Sequence, residues 1–292
     1  MFYFTPLYYN NQKNEQMKNT LTLVAAVLFT CTLFSQNFQG KATYKSKRKL
    51  DIKLDSTQVN SEMHSQMMEM LKKQFEKTYV LAFSKEESIY KEEEKLGTPQ
   101  RPSGMEMVMI NTGGSDILYK NIKENRYTNK NDVFGKVFLI KDHLEKLEWK
   151  LGSKTKNIGE YTCYQATLKR EVEDIESRIS FNADHEQDEN TTPKMKEIKV
   201  TAWYTPEIPV SNGPGNYHGL PGLILEVNDG TETVICSKIV INSKDKSILK
   251  EPSKGKVVTK EKFETIIEKK MKEMDSRRRS SDGDHFEIII GG

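Results

Sequence analysis

The stretch 205–222 reads Thr-Pro-Glu-Ile-Pro-Val-Ser-Asn-Gly-Pro-Gly-Asn-Tyr-His-Gly-Leu-Pro-Gly and holds four prolines and four glycines. Each proline fixes its own φ and pushes the preceding residue towards extended backbone. The glycines permit sharp reversals and the close approach of another backbone. Strand-type residues flank the stretch, Trp203 and Tyr204 before it and Leu223, Ile224 and Val227 after it. A connection so stiff between two strands admits two readings. One is a corner that serves only architecture. The other is a preorganised lip in which Trp203, Tyr204, Tyr217, His218, Leu220 and Pro221 contact a ligand through flat amphipathic faces, at little entropic cost.

The N-terminal region sets the compartment. Lys18 precedes the apolar stretch 21–29, which continues through Cys31, Leu33 and Phe34 to the small residue Ser35. That is the layout of a cleavable signal peptide, too short for a comfortable membrane span. Met17 is the expected start, residues 1–16 an over-extended beginning, 1–35 the segment removed, and 36–292 a single β-rich domain. The protein is therefore expected in the periplasm or outer cell envelope, with no stable membrane span after processing. Lipidation at Cys31 is disfavoured by the bulky Thr30 before it. The formal net charge is +3, with basic and acidic groups interspersed, which argues against a nucleic-acid partner.

Alternation of apolar and polar residues marks strands at 38–44, 79–83, 88–90, 116–127, 133–140, 148–151, 161–169, 198–204, 223–227 and 231–241. Two segments carry helical spacing instead. Val59, Met63, Met67, Met70, Leu71 and Phe75 form an apolar stripe over 57–77; Phe263, Ile266, Ile267, Met271 and Met274 form another over 260–274, after Thr259 as N-cap. Residues 92–104 and 171–196 read as loops, the second strongly acidic. The apolar C-terminal tail 285–292 must pair as an edge strand or tuck into a groove. The expected fold is mainly β (α+β): a curved antiparallel sheet, an open half-barrel or bowl, with two amphipathic helices.

Chemistry-bearing residues are sparse. Once the signal is removed Cys163 and Cys236 remain, each in a strand, so a cross-strand disulfide is one expectation. A catalytic thiol has no histidine tied to it by any motif. Met63, His64, Met67 and Met68 cluster on the first helix and offer soft ligands for Cu(I), although the same positions form its core stripe. The five histidines show no zinc spacing. No phosphate loop or nucleophile elbow is present, and no cofactor is implied.

Gly219-Leu220-Pro221-Gly222-Leu223-Ile224 resembles the naming motif of the GLPGLI family of secreted Gram-negative envelope proteins. The segments 81–83 with 87–90, 149–151, 154–166 and 203–209 look like further landmarks of that family. The resemblance implies an envelope location and a bowl-like β architecture, and brings no activity or catalytic residue. The functional expectation is a non-enzymatic binding or accessory protein for a peptide, an apolar ligand or an envelope partner. An enzyme assembled from distant strands and Met-rich copper handling are the alternatives.

Overall fold

The computed structural model describes residues 38–49, 76–93, 117–173, 179–180, 195–242, 249–279 and 287–288. The chain divides after Phe38, and the fold described is that of the second unit, Gln39–Gly292. The expected signal segment and the expected helix at 57–77 lie outside the described residues, the helix but for its last two.

The described residues form fourteen strands and one helix. The strands are β1 (Gln39–Arg48), β2 (Lys77–Ser84), β3 (Glu87–Glu92), β4 (Ile117–Asn121), β5 (Arg126–Val133), β6 (Lys136–His143), β7 (Lys150–Ile158), β8 (Tyr161–Glu173), β9 (Ile179–Ser180), β10 (Met195–Thr205), β11 (Leu223–Asn228), β12 (Glu232–Ile241), β13 (Lys256–Val258) and β14 (Glu287–Ile288). The helix, α1, is Lys260–Arg279. Twelve strands make one open sheet in the order β13-β6-β5-β4-β3-β2-β1-β12-β11-β10-β8-β7, while β9 and β14 pair separately.

The order is not that of a single meander. Two runs of antiparallel neighbours, β1 to β6 and β7-β8-β10-β11-β12, are fused because β1 pairs with β2 on one side and with β12 on the other. Strand patterning encodes which face is buried and says nothing about such a long-range partner. The sheet is also not wholly antiparallel, since β13 runs parallel to β6. The tail expectation is met in part by β14, whose Glu287 and Ile288 pair with Ser180 and Ile179.

Two expected strands are in fact hairpins. The run 116–127 breaks at Asn121, whose Oδ1 accepts the Glu124 N–H at 2.9 Å, and the chain reverses through Asn125 at φ 52°. The run at 133–140 breaks at Phe134 and Gly135, with φ 53° and 69°, because Val133 pairs directly with Lys136. Two positive φ values in a two-residue loop define a type I′ turn, which favours Asn-Gly. Phe134 is 42% exposed, so its ring gains little to offset the strain of that backbone. Phe134→Asn is expected to raise the unfolding free energy by about 1 kcal/mol, checked by chemical denaturation.

Two buried clusters share one face of the sheet, the core face, while Val80, Ala82, Ile89, Tyr119 and Leu139 are buried on the other. Ala166, Leu168, Val200, Ala202, Tyr204, Leu220, Ile224 and Val227 form one cluster, packed by Leu147, Trp149, Ile198 and Tyr217. Phe138, Ile140 and Val258 form another with Phe263 and Ile267 of α1, where the Phe138 and Phe263 rings meet edge to face at 5.5 Å. The helix starts where the sequence places it: Thr259 Oγ1 accepts the Lys262 N–H, and Asp142 Oδ2 accepts the Lys260 N–H.

On the opposite face Glu251 staples the segment before β13 to the sheet. Its carboxylate accepts from Thr128 Oγ1 at 2.6 Å, Arg126 Nη1 at 2.9 Å and Lys141 Nζ at 3.0 Å. Burial raises its pKa, but the three hydrogen bonds and the charge of Arg126 outweigh that and hold it at about 2, against an ordinary 4.5. Because the folded pKa is the lower one, this stabilisation is complete above the unfolded value and fades as pH falls towards the folded value. The stability gap between wild type and Glu251→Gln is therefore expected to narrow steadily from pH 5 to about pH 2, as followed by urea denaturation across that range.

Candidate functional site

The segment 206–222 leaves the end of β10 and re-enters at β11, and between those points it lies across the core face as far as β3 and β4. Local backbone bonds fold it first. Val210 N–H donates to Ile208 O at 2.8 Å, Asn212 N–H to Val210 O at 2.9 Å, and Asn212 bridges His218. Leu223 N–H donates back to Ile208 O at 3.0 Å and Ile224 N–H to Asn212 O at 2.9 Å, so the segment is zipped to the strand that follows it. Ile208, Val210, Asn212 and Leu220 are buried, as the density of turn residues permits.

Side chains from distant strands then clamp it. Lys120 of β4 is fully buried, and its Nζ donates to the carbonyls of Gly213 at 3.0 Å, Gly215 at 2.7 Å and Tyr217 at 3.1 Å. Three donors meet three acceptors, which satisfies an ammonium completely. Burial nevertheless pushes its pKa down to about 7. Beside it Ser88 Oγ donates to Asn212 Oδ1 at 2.9 Å. Trp149 Nε1 donates to His218 O at 2.8 Å, and Tyr44 Oη donates to Ile224 O at 2.7 Å.

The six lip residues are distributed around this clamp. Leu220 is 1% exposed and belongs to the core; Tyr204 is buried and its ring lies 6.1 Å from that of Tyr164. His218 is buried with Nδ1 2.9 Å from Asn216 O, and burial draws its pKa below the usual value. Tyr217 is half-buried against Trp149, ring centroids 6.2 Å apart. Pro221 is exposed, together with Pro206, Glu207, Pro209, Asn216 and Gly219. Trp203 stands apart: Lys156 Nζ sits 4.5 Å above its ring and pairs with Glu226 at 2.6 Å.

Sequence reading missed Lys120 altogether. A lysine in a strand reads as a solvated position, and nothing local to Ile117–Asn121 signals that three carbonyls about a hundred residues later will receive it.

The two cysteines are free thiols. Cys163 lies on β8 and Cys236 on β12, with β10 and β11 between those strands in the sheet order. Burial raises both thiol pKa values to about 11. Among the described residues no group of three or more His, Cys, Asp or Glu is placed to hold a metal, and no helix is long and apolar enough to cross a membrane. The copper candidates Met63, His64, Met67 and Met68 lie outside the described residues.

No curated protein matches the chain. Two solved structures of PNGF-II, in space groups C2 and P21, share 15% and 13% identity with it, each with a TM-score of 0.45. They cover 79% and 78% of this chain, which spans about a third of their length, 32% and 33%. Residues 149–226, from Trp149 through the clamped segment to Glu226, match the model of a family described as a protein of unknown function (Porph_ging).

Proposed function

We propose that this chain is an exported envelope protein that acts as a non-enzymatic binding or accessory module, with a partner docking on the outward surface of 206–222. The observation that carries this reading is the clamp. Lys120, Ser88 and Trp149 hold the segment on the sheet, so the exposed Pro206, Pro209, Asn216, Gly219 and Pro221 are fixed before any partner arrives. A surface ordered in advance loses little conformational entropy on binding. The signal-like N-terminus and the GLPGLI-like motif support the compartment.

The bowl expected from the sequence has support in the connectivity. Strands β6 and β7 lie ten places apart in the sheet, roughly 48 Å if it were flat. The link 144–149 spans at most about 25 Å. A strongly curled sheet brings the two within reach, and this supports the bowl.

The test is capture of a partner by tagged full-length protein expressed in its native envelope, with Asn216→Asp and Pro221→Asp as surface variants and Trp203→Ala as a second site. A partner retained by wild type and lost from the surface variants supports docking on the segment. Identical partners in all variants, or unprocessed chain recovered from the cytosol, would sink the reading.

A further inference from the structure

The face of the sheet turned away from residues 206–222 changes character where β1 and β12 cross it. Along β1 the buried Ala42, Tyr44 and Ser46 alternate with Lys41, Thr43, Lys45 and Lys47, of which Lys45 and Lys47 are exposed. Register sets Val240 opposite Lys41, Lys238 opposite Thr43 and Ile235 opposite Lys45. Ser237 is the extra residue of a β-bulge, and its Oγ donates to Thr43 O at 3.2 Å. The bulge keeps Ile235 and Lys238 on one face despite their odd spacing.

Charge and apolar exposure set this strip apart from an ordinary solvated face. Elsewhere strand lysines pair with carboxylates, Lys77 with Glu92, Lys156 with Glu226 and Lys169 with Glu197. The strand neighbours of Lys41, Lys45 and Lys238 are instead Ala82, Thr78, Val240, Ile235 and Thr43, and these three lysines make no ion pair among the described residues. Lys47 faces Glu76 at 3.9 Å, and at the end of β3 the exposed Lys91 and Glu93 offset each other in charge. Between the lysines, Ile235 is 38% and Val240 40% exposed. Lysine guards edge strands against unwanted pairing, but β1 and β12 are the seventh and eighth of twelve strands, so edge protection does not account for these residues.

We propose that Lys41, Lys45, Lys47 and Lys238, with Ile235 and Val240 among them, form a docking face for the surface of an anionic lipid bilayer. The residue types select this partner. A protein interface is anchored by aromatic residues and arginine and is depleted in lysine, and the strip contains neither anchor. Arginine also suits the bidentate capture of a single carboxylate or phosphate, whereas lysine is a point charge on a flexible stem that can meet many headgroups at once. Ile235 and Val240 enter the headgroup layer beside the lysines, while a soluble polyanion would leave them in water. Such contact is peripheral and reversible and needs no spanning helix. It is independent of the docking surface proposed above, which lies on the other face.

The test is vesicle co-sedimentation of protein purified from its native cells, with phosphatidylglycerol vesicles as the anionic probe and phosphatidylcholine vesicles as the neutral one. Binding to phosphatidylglycerol is expected, and it should weaken as salt is raised. Each lysine close to such a surface contributes about fivefold, so Lys45→Gln/Lys238→Gln should weaken binding about thirtyfold. Ile235→Ser/Val240→Ser should weaken it about tenfold. Lys136→Gln/Lys150→Gln, at two lysines outside the strip, should leave it unchanged. Every altered side chain is exposed, so the circular dichroism of all three variants should match wild type. No binding, equal binding to phosphatidylcholine, undiminished binding in either strip variant, or an equal loss in Lys136→Gln/Lys150→Gln overturns the proposal. Tighter binding to heparin or polyglutamate than to phosphatidylglycerol overturns it too, in favour of a soluble polyanion.

Discussion

Lys120→Met lowers the unfolding free energy by about 3 kcal/mol, the expected cost of leaving three buried carbonyls without a donor after the loss of the charge that held them. Methionine fills the volume of the lysine stem, so no cavity complicates the reading. The carbonyls of Gly213, Gly215 and Tyr217 have their lysine partner within 3.1 Å, and water cannot reach a side chain that is fully buried. The effect has a pH signature. Burial sets the folded pKa near 7, below the ordinary 10.5, so between those values the unfolded chain binds more protons than the folded one. Stability contributed at this site therefore rises with pH across that window. The gap between wild type and Lys120→Met should widen from pH 7 to pH 10, measured by guanidinium denaturation at each pH. A gap that is flat or shrinking would show that burial does not lower the pKa of Lys120 and that it stays an ammonium in the folded state up to pH 10.

Gly222→Ala is expected to be of similar size or larger, about 3 kcal/mol or more. A Cβ at this position would lie 2.1 Å from Thr205 O, 2.6 Å from Thr205 C and 2.9 Å from Pro206 Cα, all backbone atoms that cannot swing away. The φ of 155° adds strain for any L side chain. Gly215 is the internal comparison, because its φ is 53° and a Cβ there meets nothing within 4 Å. Gly215→Ala should cost only about 1 kcal/mol. Limited proteolysis should open 206–222 in Gly222→Ala and not in Gly215→Ala. Equal losses in the two variants would mean that backbone strain, and not the contact between the segment's two ends, governs this turn.

Much of the architecture was legible in the sequence. Period-two alternation located most of the sheet strands, and the stripe of Phe263, Ile266 and Ile267 with Thr259 before it located α1. Proline and glycine density marked 205–222 as a stiff connection, and Lys120, Ser88 and Trp149 hydrogen-bond into it. The misreadings had local causes. The apolar pattern runs unbroken through Phe134, where the backbone turns, and Asn121 to Asn125 lacked the glycine that usually advertises a reversal.

Periodicity and proline act over a few residues, so the local pattern was enough to place most strands and the rigid connection. Long-range packing alone places β1 between β2 and β12, buries Lys120 under the segment it clamps and stacks Tyr79 on Tyr90. Those facts depend on pairs separated by scores of residues, such as Tyr44 with Ile224 or Lys120 with Tyr217. Face preference is a property of each strand alone, whereas partner choice is settled by the packing of the whole sheet.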